Sequence, residues 1–308
     1  MNEFRDTKGI FGFEQLYPST HAYVAVVGHP ALFALVNCAL QCASYALIDR
    51  GHFFVDFSQS SIKWSDLFET SFASGDRELD YAQIWFPGKK VHKPLWRTIQ
   101  QTTRQGVMDA LVHELPEIGF RGELENLVAR MADAIFEPVE PVRMAVASAL
   151  RELGLDNEPY GAFHVRRGDK VKGYFRTNGR FCVEGELVPL AAYVDRLRTM
   201  SPTISKIFLM TDDYGAFEEA TASYPELTFV TLCPPTSRGY DQVVQNASSA
   251  EQQLRNQREV LRDIAIARGA ETFVGAYRSN VSLFIHVLRG LGYDRSASAD
   301  SVERWNFI

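Results

Sequence analysis

Residues 161–170 read Gly-Ala-Phe-His-Val-Arg-Arg-Gly-Asp-Lys, and this stretch decides the predicted fold. Its first five residues form a short, largely apolar run of the kind that makes a buried β-strand. Alternation along a strand places His164 and Arg166 on one face and Arg167 on the other. Gly168 then favours a turn. The stretch therefore predicts a buried strand that ends in a cluster of charged side chains.

Strand-like and helix-like segments alternate along the rest of the C-terminal half. Runs of β-branched or aromatic residues predict strands, and amphipathic segments predict helices. The predicted strands are 161–165, 206–210, 227–232 and 272–276, and the predicted helices are 189–200, 214–223, 249–268 and 279–289. This alternation predicts four parallel strands joined by helices, which is a Rossmann-like sheet.

Small and polar residues mark the predicted helix ends. Ser249 is expected to cap the start of the long helix, and Gly269 is expected to end it in a left-handed conformation. Asp212 is expected to cap the helix that begins at Tyr214. The segment Cys233–Gly239 contains two prolines and predicts a loop beyond a strand end, at the edge where open α/β sheets bind ligands.

The N-terminal half suggests a second βαβ unit, with an apolar run at 23–27, then Gly28, a helix at 31–50 and a strand at 53–57. A chain of 308 residues exceeds what one hydrophobic core usually organises. Glycine, proline and polar residues between 153 and 160 predict a linker. We therefore predict an α/β protein with domains at 1–155 and 156–308.

Composition excludes some classes of protein. A net charge of -6 argues against a protein that mainly coats nucleic acid. The sequence has no apolar run typical of a signal peptide or an integral membrane segment. The spacing of the four cysteines predicts free thiols rather than a zinc site, and hence a reducing, cytoplasmic location.

The charged cluster predicts an anion site. Two adjacent arginines and Lys170 are costly to hold together without an anion, and a diphosphate matches the guanidinium fork. Arg166 is the first candidate for that contact. In the alternative interpretation, Arg166 and Arg167 pair with Asp169 and nearby acids, and no ligand is involved.

The segment 161–170 resembles the first motif of the fucosyltransferase superfamily that includes α1,6-fucosyltransferases, rhizobial chitin-oligosaccharide fucosyltransferases and protein O-fucosyltransferases. It is also similar to the His-x-Arg-Arg-Gly-Asp motif of α1,2-fucosyltransferases. Three further segments resemble later motifs in the same order: Phe-Leu-Met-Thr-Asp-Asp at 208–213, Val-Leu-Arg-Asp-Ile at 260–264, and the strand and loop at 272–281. The likeness is strongest to the α1,6 type.

This resemblance implies a GT-B-like architecture of two Rossmann-like domains, with the acceptor side in 1–155 and the nucleotide-sugar side in 156–308. It implies inverting, metal-independent transfer of fucose from GDP-fucose to an oligosaccharide or glycoconjugate acceptor. Arg166 would contact the donor diphosphate, and Asp263 would bind guanine. The residues assigned to donor binding are His164, Arg167, Asp263, Ser279, Asn280 and Gly28.

Some of these residues also have a purely structural interpretation. Asp263 is alternatively a helix acid paired with Arg262, Ser279 an N-cap, and His164 a packed core histidine. The chain contains no Asp-x-Asp pair, so we expect no metal, and Arg166 takes the place of one at the diphosphate.

The general base is the least defined residue. The α1,6 type has a glutamate a few residues after the arginine motif, but residues 171–183 contain none. Glu184, Glu186 and Asp169 are the candidates, with Glu184 as the choice, and a solvated loop acid is the alternative for each.

Acceptor recognition is expected in the N-terminal half, where tryptophan and phenylalanine side chains offer stacking surfaces or belong to the core: Trp64, Trp85, Phe86 and Trp96. Two alternatives to fucosyl transfer stay open. One is a transferase that uses another GDP-sugar on the same fold, and the other is a non-catalytic module that binds a nucleotide or a glycan.

Overall fold

The computed structural model describes residues 21–26, 43, 52–56, 62–69, 73–74, 90–92, 129, 132–133, 135–175, 181–182, 187–276, 278–290 and 295–300. The chain divides into two compact units, Met1–Val139 with Asn306–Ile308, and Glu140–Trp305. The helix Glu140–Glu152 lies before the predicted boundary at 155/156, yet it belongs to the second unit because it packs on that unit's longest helix.

The first unit contains a parallel sheet of β1 (His21–Val26), β2 (His52–Asp56), β3 (Ala73–Ser74) and β4 (Lys90–His92), in the order β3-β2-β1-β4. The first two strands match the predicted runs at 23–27 and 53–57. The helix predicted at 31–50 and Gly28 lie outside the described residues, except that Ala43 is helical and buried.

Trp64 belongs to the core of the first unit. Its ring centroid lies 4.7 Å from that of Phe68 and 5.7 Å from that of Phe136. Only 4% of Trp64 is exposed, so it offers no stacking surface for a ligand. The other three aromatic residues considered for acceptor recognition, Trp85, Phe86 and Trp96, lie outside the described residues.

The second unit is built on a parallel sheet of five strands: β5 (Gly161–Val165), β8 (Lys206–Thr211), β9 (Thr228–Val230), β10 (Thr272–Gly275) and β11 (Ser296–Ser298). Their order in the sheet is β11-β10-β5-β8-β9. β5 lies at the centre, and all five of its residues are buried. The predicted α/β class and parallel sheet are therefore confirmed.

Helices connect these strands: α1 (Glu140–Glu152), α2 (Asp169–Lys172), α3 (Leu190–Met200), α4 (Tyr214–Ser223), α5 (Gln242–Ala247), α6 (Ala250–Gly269) and α7 (Asn280–Arg289). A small antiparallel pair, β6 (Tyr174–Phe175) and β7 (Phe181–Cys182), follows α2. The four helices predicted in this half are present within one or two residues. The short helices α2 and α5 were not predicted.

Two helix ends test the predicted caps. Ser249 caps α6 as predicted, since its side chain accepts a hydrogen bond from the Gln252 amide at 3.2 Å. The prediction for Gly269 is wrong: it lies inside α6, and the C-cap is Ala270 with φ −62°. The left-handed glycine instead ends α7, where Gly290 has φ 57°.

Aromatic residues fill the core beside β5. The Phe163 ring centroid lies 5.7 Å from that of Tyr193 on α3 and 6.3 Å from that of Phe229 on β9. Leu209 and Val274, from the two strands beside β5, complete this cluster and are fully buried. The core thus fixes β5 up to the point where its charged residues begin.

Arg289, at the end of α7, joins the edge strand β11 to the end of α6. Its guanidinium donates hydrogen bonds to one hydroxyl and four carbonyl oxygens, those of Ser296, Arg268, Ala270, Glu271 and Arg295, at 2.6–3.3 Å. A guanidinium has five N–H donors, so one side chain satisfies several carbonyl groups that follow the helix.

We expect Arg289→Met to destabilise the protein by about 3 kcal/mol, because several partly buried acceptors lose a charged donor. The matched control is Arg255→Met, whose guanidinium makes an exposed ion pair with Glu251 on α6 and whose loss costs less than about 0.5 kcal/mol. Urea unfolding checks both, and equal midpoints for the two variants would refute the structural role of Arg289.

Candidate functional site

The charged residues lie at the carboxyl edge of the central strands. β5 and β8 are parallel neighbours, with Val165 opposite Thr211. Arg166 and Arg167 follow the first strand, and Asp212 follows the second. Because parallel strands end at the same edge of a sheet, these three side chains meet there.

Asp212 organises the turn after β5. One carboxylate oxygen accepts a hydrogen bond from the Arg167 amide at 2.7 Å, and the other accepts from the amides of Gly168 at 2.9 Å and Tyr240 at 3.1 Å. The second oxygen also lies 3.2 Å from Arg166 Nε as an ion pair. Asp212 therefore joins residues 166–168, which we call the arginine turn, to the loop that follows β9.

The prediction that Asp212 caps α4 is wrong. Asp213 occupies the N-cap position, directly before Tyr214, and its side chain accepts from the Gly215 amide at 2.9 Å. Two consecutive aspartates follow one strand, and only the second is adjacent to the helix. The first is left to bind the neighbouring turn.

Arg166 is held at its Nη2, its Nε and one face. Its Nη2 donates to Asp169 Oδ1 at 2.7 Å, and its guanidinium carbon lies 4.6 Å from the centroid of the Tyr240 ring. Its Nε is buried and lies 3.2 Å from Asp212 Oδ2, as an ion pair without a hydrogen bond. Its side chain is 19% exposed. Among the described residues, the remaining nitrogen Nη1 has no partner. A fixed cation with one unoccupied nitrogen suits the binding of an anion.

Asp169 is buried and engaged at both oxygens. Oδ1 accepts from Arg166, and Oδ2 accepts from the Gln242 amide at 2.9 Å. Its own amide donates to the Tyr240 carbonyl at 2.9 Å. The carboxylate thus connects the arginine turn to the start of α5.

Arg167 points to the opposite side of the strand, as the alternation of β5 predicts. Its Nη1 pairs with Glu219 on α4 at 2.7 Å. Its Nε is buried and makes no hydrogen bond within the part of the chain that the structure describes. The two arginines therefore occupy separate environments, and only Arg166 contacts Asp169 and Tyr240.

Two glycines allow the turn and the loop to touch. A Cβ at Gly168 would lie 2.3 Å from the Tyr240 carbonyl oxygen, which is closer than any real contact. Gly239 has φ 107°, and a Cβ there would lie 2.8 Å from the Gly168 Cα. Backbone approaches backbone at this point, so larger residues would separate the two segments.

His164 is a buried residue between the sheet and a helix. Its Nδ1 lies 2.6 Å from the Ser282 hydroxyl on α7. Burial and the nearby Arg166 charge lower the pKa of His164 to about 3, so its imidazole is neutral at physiological pH. The structure therefore gives it a packing contact, and its predicted role in donor binding stays a prediction.

Ser279 and Asn280 begin α7 at the same edge of the sheet. β10 ends at Gly275, opposite His164 of β5, and the helix follows shortly afterwards. Ser279 is the N-cap residue, yet its side chain makes no capping hydrogen bond. Its hydroxyl is thus not used by the helix, whose amino-terminal amides lie at the end that attracts anions.

Asp263 on α6 has the predicted local partner and an unusual acidity. Its Oδ1 lies 2.8 Å from both Nε and Nη2 of Arg262. Burial raises the pKa of Asp263 to about 6, despite that partner. Burial raises the pKa of the Cys233 thiol to about 11, and the charges of Asp212 and Asp263 contribute to that rise. The charge of Asp263 is therefore felt in the loop after β9.

Two predicted site residues, Glu184 and Gly28, lie outside the described residues. Conversely, Tyr240 and Gln242 contact Arg166 and Asp169 but were not among the predicted site residues. The only signal was the predicted ligand-edge loop that ends just before Tyr240.

The described residues contain no group of three or more His, Cys, Asp or Glu side chains suited to holding a metal ion. None of the described helices is both long and apolar enough to cross a membrane.

No protein-family model matches the chain, and no curated protein matches it in sequence. Solved structures do resemble it. A mutant of FUT1 from Arabidopsis thaliana in complex with GDP is 11% identical, with 96% of this chain and 74% of that chain covered and a TM-score of 0.55.

Two other similar structures have lower scores. Fucosyltransferase NodZ from Bradyrhizobium is 13% identical over 86% of this chain and 91% of its own, with a TM-score of 0.47. POFUT1 in complex with GDP is 11% identical over 92% and 99%, also with a TM-score of 0.47. The conclusion about the fold rests on the likeness to the plant protein. This chain has the GT-B-like fold of fucosyltransferases, as its motifs predicted.

Proposed function

We propose that the chain is an inverting, metal-independent glycosyltransferase that transfers fucose from GDP-fucose to an oligosaccharide acceptor. One observation carries the proposal: a guanidinium fixed by two carboxylates, with an unoccupied nitrogen, at the sheet edge where α7 begins. The complex of FUT1 with GDP supports the choice of nucleotide. A cytoplasmic location is part of the proposal and rests on the cysteine pattern.

The chemistry demands a stable leaving group. As the bond between fucose and GDP breaks, negative charge develops on the β-phosphate and positive charge on the sugar. Arg166 would stabilise the leaving phosphate, and the Ser279 hydroxyl with the first amides of α7 would bind its other oxygens. A guanidinium already held by carboxylates needs no reorganisation at that moment.

Guanine recognition is assigned to Asp263. A carboxylate accepts from the N1 and N2 groups of guanine and cannot make the same pair of contacts with uracil. Arg262 holds Oδ1 of Asp263, so the side chain is oriented before a ligand arrives. The raised pKa makes this contact depend on pH.

We propose Glu184 as the general base that removes the proton from the attacking hydroxyl group of the oligosaccharide acceptor. Asp169 is less suited to that step, because both of its oxygens already accept hydrogen bonds. Its contacts favour a positioning role for Arg166 instead.

Calorimetric titration in EDTA with GDP, UDP and guanosine tests the donor site. We expect the wild type to bind GDP and not UDP, and Arg166→Ala to bind GDP about 30- to 1,000-fold more weakly, as for the loss of one charge partner. Guanosine lacks phosphates, so its affinity should be unchanged in that variant. Arg198→Ala, which removes an exposed arginine paired with Glu226, is the matched control. If the wild type does not bind GDP, the assignment of GDP-fucose as the donor is refuted.

The pH dependence of GDP affinity tests Asp263. Its pKa of about 6 means that the carboxylate is ionised at pH 7.5 and protonated at pH 5. The protonated form accepts poorly from guanine, so affinity should fall by up to about tenfold per pH unit below the pKa. Protonation of the GDP phosphate affects every variant, so the comparison is with Asp263→Asn, which should lack this component. Identical pH profiles for the two proteins would contradict the assignment.

The proposed base is tested by Glu184→Gln. We expect transfer from GDP-fucose to fall by about 100- to 10,000-fold while GDP affinity stays within about twofold, because the side chain acts on the acceptor. Glu186→Gln, a neighbouring acid in the same segment, is the matched control and should retain activity. Full activity of Glu184→Gln would move the base elsewhere.

The same assays separate the two alternatives. A transferase for another GDP-sugar would bind GDP and consume GDP-mannose or a related donor in preference to GDP-fucose. A non-catalytic module would bind GDP and consume no donor with any acceptor. Arg166 and Ser279 would serve all three functions, because they face the diphosphate.

A further inference from the structure

Tyr240 contacts three residues of the charged cluster: Arg166, Asp212 and Asp169. Its ring lies against the guanidinium of Arg166, with 4.6 Å between the guanidinium carbon and the ring centroid. Its amide donates to Asp212 at 3.1 Å, and its carbonyl accepts from the Asp169 amide at 2.9 Å. No pattern in the sequence indicated these contacts.

The two carboxylates and the ring restrain Arg166 in different ways. Asp169 and Asp212 approach the edge of the guanidinium, where its N–H groups lie. Contacts at an edge resist rotation within the plane but permit tilting out of it. A ring on one face resists that tilt and also excludes water from the face.

We propose that Tyr240 is a positioning residue, whose ring fixes the plane of the Arg166 guanidinium so that Nη1 is presented to the donor phosphate. This inference rests on the proposed function. Without the ring, the Arg166 guanidinium would tilt freely and would lose that freedom only when the donor binds. This entropic cost would weaken donor binding and slow the step in which negative charge develops on the phosphate.

The role belongs to the ring rather than to the hydroxyl. Burial raises the pKa of Tyr240 to about 12, although the nearby Arg166 charge acts to lower it. The phenol is therefore neutral throughout the physiological range and carries no charge toward Arg166. Phenylalanine keeps the ring and should preserve the function, whereas leucine keeps only apolar bulk.

The experiment compares Tyr240→Phe and Tyr240→Leu in the full-length chain. GDP affinity, guanosine affinity, and kcat and KM for consumption of GDP-fucose are measured. We expect Tyr240→Phe to stay within about twofold of wild type. We expect Tyr240→Leu to lose about three- to thirty-fold in GDP affinity and in kcat, the range for a stacked guanidinium, with guanosine affinity unchanged.

A double-mutant cycle shows whether the ring acts through Arg166. In the Arg166→Ala background, Tyr240→Leu should have little further effect on GDP affinity. An equal loss in both backgrounds, an equal loss of guanosine affinity, or a Tyr240→Leu variant with wild-type GDP affinity would each overturn the inference. The Phe variant keeps the question decidable if Tyr240→Leu fails to fold, because loss of GDP affinity in Tyr240→Phe would refute a ring-based role.

Failure of the proposed function gives a different result. In that case the wild type itself binds neither GDP nor GDP-fucose. If the wild type binds GDP and only the Tyr240 predictions fail, the donor site stands and Tyr240 is merely part of the loop packing.

Discussion

The carboxylate of Asp212 is the group on which the rest of the site depends. It lies where β8 ends, and it accepts amide hydrogen bonds from the arginine turn and from the loop after β9. The backbone carbonyl of Asp212 accepts hydrogen bonds from the Ser237 hydroxyl and the Gly239 amide of the same loop. A largely buried carboxylate is stable only when such donors replace water. The turn and the loop therefore stabilise each other through Asp212.

The ion pairs explain how two arginines are held together at this edge without a ligand. Arg166 is paired with Asp169 and Asp212, and Arg167 with Glu219. These pairs are the ones that the ligand-free interpretation of the sequence expected. They do not exclude an anion, because a positioned guanidinium with a free nitrogen is what an anion site requires. The same contacts fix the arginine side chains and orient Arg166 for a ligand.

Local patterns in the sequence predicted the sheet well, and non-local contacts were the part that they could not predict. β5, β8 and β10 are apolar runs between turn residues, so their positions follow from composition. β11 reads Ser-Ala-Ser and is a strand only because β10 offers a partner. The helix start at Tyr214 was predicted correctly, but Asp213, the aspartate next to it, is the cap rather than Asp212. The stacking of Tyr240 on Arg166 depends on two glycines meeting across the fold, which no periodicity encodes.

His164 has the same structural effect whether it binds the donor or is only a packed core histidine. The buried, neutral imidazole binds Ser282, so it joins β5 to α7 two residues before Arg166. Gly275 brings the other strand just as close, since a Cβ there would lie 2.7 Å from the same hydroxyl. Ser282 is therefore enclosed by both strands, and the start of α7 cannot slide along the sheet. The core thus sets the distance between the Arg166 guanidinium and the first amides of α7. His164 contributes to this arrangement even without contacting a ligand.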